Sequence, residues 1–240
     1  MVTLVSTQSE TLLDAQLAAI RMRIQTAETQ FGRRPGSVAL LAVSKQQPIT
    51  RLLAAYTAGQ RAFGESYVNE ALTKQAVLRE QLIDWHFIGR IQTNKTRLIA
   101  NHFNWVHSVS DFTHAQRLSQ QRPPDLPPLH ICIQVNISAE ETKNGLAPAA
   151  LADFIKIVRE LPRLSIEGLM TLPAQTDDFS IQRRTFADLR TLRDQLAKPE
   201  LPLTTLSMGT SDDLEAAIAE GATIVRVGTA LFGARAGDHF

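Results

Sequence analysis

Eight short apolar runs, separated by longer amphipathic stretches, constrain this sequence more than any other feature. Each run is almost continuously apolar, which is typical of parallel strands that are covered on both faces. The stretches between the runs have the apolar spacing of helices, so strand and helix alternate along the chain. The runs are Val38–Ser44, Arg61–Gly64, Trp85–Gly89, Trp105–Ser108, His130–Ile137, Ser165–Thr171, Thr204–Met208 and Thr223–Val227. This order predicts an α/β fold with a parallel sheet.

The amphipathic stretches predict seven helices between the runs and one before the first run. Eight parallel strands with intervening helices in 240 residues match a (β/α)8 barrel. A doubly wound sheet more often has about five or six strands and a glycine-rich first turn, which is missing here. The predicted helices are Glu10–Gln30, Thr50–Thr57, Tyr67–Glu80, Asn94–Asn101, Thr113–Gln121, Ala149–Glu160, Ile181–Leu196 and Asp212–Glu220. We therefore expect a single barrel domain over residues 1–240, with an extra N-terminal helix.

Charge and composition argue against several kinds of partner. Lys and Arg number 25 and Asp and Glu number 24, without long runs, so no charged stripe suggests nucleic acid or a membrane surface. The first residues do not resemble a signal peptide, and no apolar stretch reaches membrane length. The single cysteine, Cys132, lies in an apolar run, which favours a structural thiol in a reducing compartment. We expect a soluble, cytoplasmic monomer or weak dimer.

A lysine follows the first apolar run, in the segment Ala42-Val-Ser-Lys45. The carboxyl ends of the strands form the active site in barrels of this kind, so Lys45 is expected at the mouth. Partial desolvation there would favour the neutral amine, which is a nucleophile toward an aldehyde. A lysine in this position is also often a solvated loop residue, so the segment alone does not decide the chemistry.

Small and hydroxyl-bearing residues follow the seventh and eighth runs. Ser207 and Gly209 lie at the end of the seventh run, just before a predicted helix, and Gly228 and Thr229 follow the eighth. Barrels frequently bind phosphate in the loops after these two strands. A helix cap without any ligand is the alternative for the first pair. The same chemistry after the eighth run favours a phosphate site.

Polar residues within two of the runs need partners inside the barrel. Strand alternation places Arg226 among apolar neighbours, and its acceptor is either a carboxylate such as Glu167 or a group on a bound ligand. Gln134 and Asn136 share one face of the fifth run, as residues that line the interior or as a simple polar pair. His86 lies in the third run, where a core histidine is favoured because nothing nearby in sequence would orient it.

Two further polar segments follow the second and third runs and are expected near the rim of the barrel. No group of His, Cys and Asp residues in the sequence has metal-ligand spacing. The rim residues are Glu65, Ser66, Asn69, Gln92, Asn94 and Lys95.

Seven segments of the chain resemble the pyridoxal phosphate (PLP) homeostasis proteins, the YggS/PROSC family. They occur in order over essentially the whole chain, so a chance match is implausible. The segments are Ala42-Val-Ser-Lys45, Phe63-Gly-Glu-Ser-Tyr-Val-Asn-Glu70, Trp85-His-Phe-Ile-Gly-Arg-Ile-Gln-Thr-Asn-Lys95, Gln134-Val-Asn-Ile-Ser138, Gly168-Leu-Met170, Leu206-Ser-Met-Gly-Thr-Ser-Asp-Asp213 and Val225-Arg-Val-Gly-Thr-Ala-Leu-Phe-Gly-Ala-Arg235.

The resemblance implies a barrel like the N-terminal domain of alanine racemase, of PLP fold type III, with PLP as a Schiff base on Lys45. It implies that Ser207, Gly228 and Thr229 surround the phosphate and that Arg226 lies at the pyridine nitrogen. It also implies an intracellular PLP carrier without substantial catalysis, with PLP and apo PLP-dependent enzymes as partners. Further candidates for cofactor contacts are Asn136, Met170 and Gly209.

The sequence departs from the family pattern at two positions. Ser66 stands where relatives commonly have Asn after Phe-Gly-Glu, which weakens any assignment of an amide contact to this loop. Thr210 stands where Met is common after Ser-Met-Gly, and this change leaves the predicted phosphate site intact.

Two alternative functions use the same residues. A PLP-dependent amino-acid racemase would need an acid and a base on opposite faces of the cofactor, and Lys45 supplies only one. In alanine racemases the opposing tyrosine comes from a C-terminal domain that we do not expect here, and Tyr56 and Tyr67 fall in predicted helices. A Schiff-base aldolase for a phosphorylated sugar would use Lys45 and the phosphate site without PLP.

Overall fold

The computed structural model describes residues 2–138 and 144–233, and in these ranges eight parallel strands close into a barrel in sequence order. The last strand pairs with the first, from Ala39 opposite Ile224 to Ala42 opposite Val227. The strands are β1 (Ala39–Val43), β2 (Ala62–Glu65), β3 (Asp84–Phe87), β4 (Trp105–Val109), β5 (Leu129–Gln134), β6 (Leu164–Met170), β7 (Thr205–Ser207) and β8 (Ile224–Val227). The predicted (β/α)8 barrel is confirmed.

Helices separate successive strands and cover the outside of the barrel. Short 3-10 turns, Thr93–Lys95 and Pro148–Ala150, lead into two of them. The helices are α1 (Val2–Gln30), α2 (Ile49–Thr57), α3 (Val68–Val77), α4 (Thr96–His102), α5 (Phe112–Gln121), α6 (Leu151–Val158), α7 (Phe179–Leu196), α8 (Leu214–Ala219) and α9 (Thr229–Phe232).

The extra N-terminal helix α1 packs on the outside of the barrel against α2, α8 and α9. Leu13, Leu17, Ile20 and Ile24 are buried, at the three- and four-residue spacing that forms one apolar helix face. On its polar side, Arg23 binds Glu215 of α8 and donates to the carbonyl oxygen at residue 211, at 3.1 Å. The helix therefore reaches the loop between β7 and α8.

Strand β5 is shorter than its apolar run predicts. It ends at Gln134, and the next residues pair with a different segment: Val135 forms a bridge with Leu146, and the backbone N–H of Asn136 donates to the Leu146 carbonyl at 2.9 Å. The backbone N–H of Val135 still donates to the Met170 carbonyl of β6 at 2.9 Å, so the contact between the fifth and sixth strands extends one residue beyond β5.

The final two residues of the last family segment, Ala234 and Arg235, lie outside the described residues. Among helices in the described ranges, none combines the length and apolar character that crossing a membrane requires. The extent of the single domain over residues 1–240 stays a prediction.

Candidate functional site

A cavity of about 320 Å³ opens at the carboxyl ends of the strands. Lys45, Met170, Arg226, Gly228 and Thr229 line it, so the structure brings together five of the residues singled out in the sequence. They come from the ends of β1, β6 and β8, which the closed barrel places around one mouth. The volume suits a small molecule.

Three other residues singled out in the sequence are not among the described residues that line this cavity. Ser207 is fully buried at the end of β7. Gly209 has φ of 94°, and its carbonyl accepts the backbone N–H of Arg226 at 2.9 Å. Asn136 lies in the segment that follows β5. Ser207 and Gly209 thus contact Arg226 instead of the cavity.

Thr210 and Ser211 line the cavity in the place expected for Ser207. The carboxylate of Asp213 accepts the N–H and the hydroxyl of Thr210, at 2.5 and 2.9 Å, and caps no N–H group of α8. Asp212 also lines the cavity, as an exposed carboxylate at its edge. The polar residues that follow Ser207 indicate a binding site in the sequence. Because β7 ends at Ser207, the hydroxyls that line the cavity come from the residues after the strand.

Arg226 is a buried cation with neutral acceptors. Its guanidinium donates to the Ser207 hydroxyl at 2.7 Å and to the Thr171 carbonyl at 2.8 Å. Glu167, the carboxylate considered from the sequence, accepts instead from His130 and Ser165. Burial lowers the pKa of Arg226 to about 10, so the side chain remains cationic at neutral pH.

A chain of hydrogen bonds runs from Arg226 through the barrel interior. Ser207 Oγ lies 2.8 Å from His107 Nδ1, His107 Nε2 lies 2.8 Å from His86 Nδ1, and His86 Nε2 lies 3.0 Å from Asp84. Arginine only donates and carboxylate only accepts, so with neutral imidazoles every donor points from Arg226 toward Asp84. Burial, followed by His86 and Arg226, lowers the pKa of His107 well below its usual value, which favours this neutral form.

The backbone on both sides of Lys45 is held by an ion pair on α3. The ammonium of Lys74 donates to the Ser44 carbonyl at 2.7 Å and to Glu70 at 2.6 Å. Glu70 also accepts the N–H of Gln46 at 2.6 Å, and Gln46 has φ of 58°, a conformation that side chains rarely adopt. These contacts fix the loop that carries Lys45.

Glu65 is a second carboxylate that contacts Lys74. Its Oε1 accepts the Ser44 hydroxyl at 2.6 Å and the Lys74 ammonium at 2.7 Å, while Oε2 has no hydrogen-bond partner in the described part of the chain. Burial raises the pKa of Glu65, and the charge of Lys74 lowers it in part. Lys74 thus offsets part of the effect of burial on this carboxyl.

Comparisons with known proteins agree on the family. The model of the alanine racemase N-terminal domain matches residues 15–236. A pyridoxal phosphate homeostasis protein of Pseudomonas aeruginosa is 54% identical over 219 residues, which cover 91% of this chain and 94% of the relative. The structure of PipY from Synechococcus elongatus PCC7942, solved with PLP bound, is 37% identical with a TM-score of 0.79 and covers 92% of this chain and 100% of PipY.

A more distant structure shares the fold alone. Alanine racemase from Corynebacterium glutamicum superposes with a TM-score of 0.65 at 18% identity, over 93% of this chain and 63% of the racemase. The family model and the relatives confirm the resemblance that the seven segments indicate. The chain belongs to the pyridoxal phosphate homeostasis protein family, which has the fold of the alanine racemase N-terminal domain.

Proposed function

We propose that this chain binds PLP in the cavity at the carboxyl ends of the strands and acts as an intracellular carrier of the cofactor. The observation that carries the proposal is that Lys45, Arg226 and Thr229 line one cavity of suitable size. The PLP-bound structure of PipY, at 37% identity, supports it. Apo PLP-dependent enzymes are the recipients that we propose, and we expect the carrier to be a monomer or weak dimer.

The residues around the cavity fit the aldehyde and the pyridine nitrogen of PLP. Lys45 supplies an amine for the aldehyde, and the buried cation Arg226 supplies a donor for the pyridine nitrogen. When bound, PLP supplies an aldehyde that combines reversibly with amines and a ring that withdraws electrons from the attached nitrogen. We therefore propose Lys45 as the Schiff-base residue and Arg226 as the partner of the ring.

The phosphate requires donors from the loops after β7 and β8. We propose Gly228, Thr229 and Ser211 for this role, with Thr210 at the edge of the group. A Cβ atom at Gly228 would lie 3.3 Å from both Cβ and the carbonyl oxygen of Val43, so the glycine allows the ends of β8 and β1 to approach closely beside the cavity. Ser207 then acts through Arg226, because Arg226 and His107 occupy its hydroxyl.

The carrier role is supported over racemisation by the chemistry of the lining. A cationic Arg226 discourages protonation of the pyridine nitrogen, which weakens the cofactor as an electron acceptor; racemases of the same fold tolerate such an arginine, so this feature alone does not separate the two functions. Racemisation also needs a second acid or base across from Lys45. Of the two tyrosines, Tyr56 accepts the N–H of Leu82, and Tyr67 is 52% exposed and lines a neighbouring cavity that shares Lys45, outside the described lining of this one.

Lys45→Ala should abolish the visible absorption band of the PLP-loaded protein, because the variant lacks the cavity amine that we propose to bond the aldehyde. After borohydride reduction of the wild-type protein, peptide mass spectrometry should place the label on Lys45. Lys156→Ala is the matched control, since Lys156 is an exposed lysine on α6. A retained band in Lys45→Ala, with label on another lysine, would contradict the assignment. A wild-type protein that binds no PLP would favour the sugar-phosphate aldolase.

The loaded protein should reactivate an apo PLP-dependent enzyme in solution, because a carrier must release its cofactor. Under the same conditions the Cα proton of alanine should exchange no faster than with free PLP, as measured by NMR in heavy water. Stereospecific exchange at enzyme-like rates, lost in Lys45→Ala, would replace the carrier by the racemase.

A further inference from the structure

A second cavity, of about 460 Å³, lies beside the first and shares Lys45 and Ser66 with it. Its walls are two segments, 66–69 after β2 and 87–95, which begins at the last residue of β3. These segments carry the rim residues that the sequence singles out and that the proposed PLP site does not use. The polar side chains around the cavity are Lys45, Ser66, Tyr67, Asn69, Arg90, Gln92 and Lys95.

The charged side chains described around the second cavity are all basic. Arg90 and Lys95 contribute cations, and none of the described residues that line the cavity is acidic. Lys95 is held by the amide oxygen of Asn69, at 3.0 Å, which orients the ammonium without neutralising it. The neighbouring carboxylate of Glu70 is already paired with Lys74. The cavity therefore presents a positive potential to a small molecule.

The two walls are fixed relative to one another by backbone contact. A Cβ atom at Gly89 would overlap the backbone of Ser66, so only glycine allows this approach. The carbonyl of Gly89 also accepts the buried Ser108 hydroxyl at 2.6 Å. The cationic side chains thus extend from a rigid base, which limits the ordering that binding would require.

The start of α3 adds donors to the same wall. Val68 and Asn69 begin this ten-residue helix and line the cavity, and the N-cap residue Tyr67 makes no side-chain capping hydrogen bond. The first N–H groups of a helix favour negative charge. This feature acts together with the cations of the opposite wall.

We propose that the second cavity binds the anionic group of a small molecule next to Lys45. Carboxylate and phosphate share the chemistry that Arg90 and Lys95 would recognise. A carboxylate would come from an amino acid, and a phosphate from a second molecule of PLP or from inorganic phosphate. The inference rests on the proposed function, because the shared residue Lys45 is the one proposed to carry the cofactor.

The test uses the borohydride-reduced holo-protein, in which PLP is fixed and the first cavity is filled. Inorganic phosphate and acetate are titrated separately, and binding is followed by backbone amide NMR shifts. We expect saturable shifts at residues 66–69 and 89–95. In Arg90→Gln/Lys95→Gln the affinity should fall ~10-fold to ~100-fold, as for the loss of hydrogen bonds to charged groups. Lys156→Gln should bind as the wild type does.

The two anions distinguish the sources. Tighter binding of acetate indicates a ligand with a carboxylate, and tighter binding of phosphate indicates a phosphorylated one. Arg90→Gln alone repeats the test without disturbing the contact between Lys95 and Asn69. An absence of saturable shifts in the wild type, or equal affinity in the double variant and Lys156→Gln, would overturn the proposal. Labelling of Lys45 is scored separately, so a failure of PLP binding is distinguishable from a failure of anion binding.

Discussion

Lys74→Met should lower the free energy of unfolding by about 3–5 kcal/mol, because it removes one partner of a buried ion pair. The Lys74 side chain is 4% exposed and that of Glu65 is fully buried, so water cannot replace the lost contact. The measurement is urea denaturation of the PLP-free protein at neutral pH. Lys156→Met, at an exposed position on α6, should change the stability by less than about 0.5 kcal/mol.

The deficit of Lys74→Met should also depend on pH. Without Lys74, the pKa of Glu65, already raised by burial from its usual value of 4.5, rises further. A carboxyl with a raised folded-state pKa stabilises the fold below its unfolded pKa and loses that contribution as pH rises through the folded value. The deficit should therefore shrink as pH falls toward 4.5. A deficit that stays constant with pH would show that Glu65 does not cause it.

Ser207→Ala should destabilise the PLP-free protein by about 2–4 kcal/mol, because it leaves the buried groups of Arg226 and His107 without a partner. Ser211→Ala is the matched control: its hydroxyl lines the cavity, so PLP retention should fall while the stability of the PLP-free protein stays nearly unchanged. Stability follows from urea denaturation and retention from the absorbance that survives dialysis.

These two variants separate two roles of Ser207. The family resemblance implies a phosphate ligand, and the structure shows a hydroxyl between Arg226 and His107. Unchanged stability of PLP-free Ser207→Ala together with weaker retention would restore the phosphate role. Loss of stability would identify Ser207 as a positioning residue for Arg226.

The barrel and the mouth positions were predictable because both depend on short-range pattern. Strands buried on two faces require continuous apolar runs, and the residue after a run must lie at the mouth. Lys45, Gly228 and Thr229 follow this logic. Ser207 ends β7 with its hydroxyl bonded to His107 and Arg226, and residues 210 and 211 line the cavity instead, so its contact with the phosphate stays a prediction.

The interior histidines show where local pattern stops being informative. The sequence favours a core histidine at His86, because it shows no clear partner nearby that would orient the imidazole. Asp84 is two residues away on the same strand face, which was a detectable signal. His107 is 21 residues away on the next strand, and the pairing of β3 with β4 brings it to His86. Lys74 likewise meets Glu65 and the carbonyl of residue 44 only after folding.

Helix α1, on the outside of the barrel, is connected to a loop that lines the cavity. Arg23 extends from α1 to the carbonyl at residue 211, so the loop proposed to hold phosphate is bonded to a helix on the outside of the barrel. The same arginine binds Glu215, which ties the helix to α8 as well. The position of this loop is therefore coupled to the packing of α1, and a displacement of α1 from the barrel would break its hydrogen bond to the cavity wall.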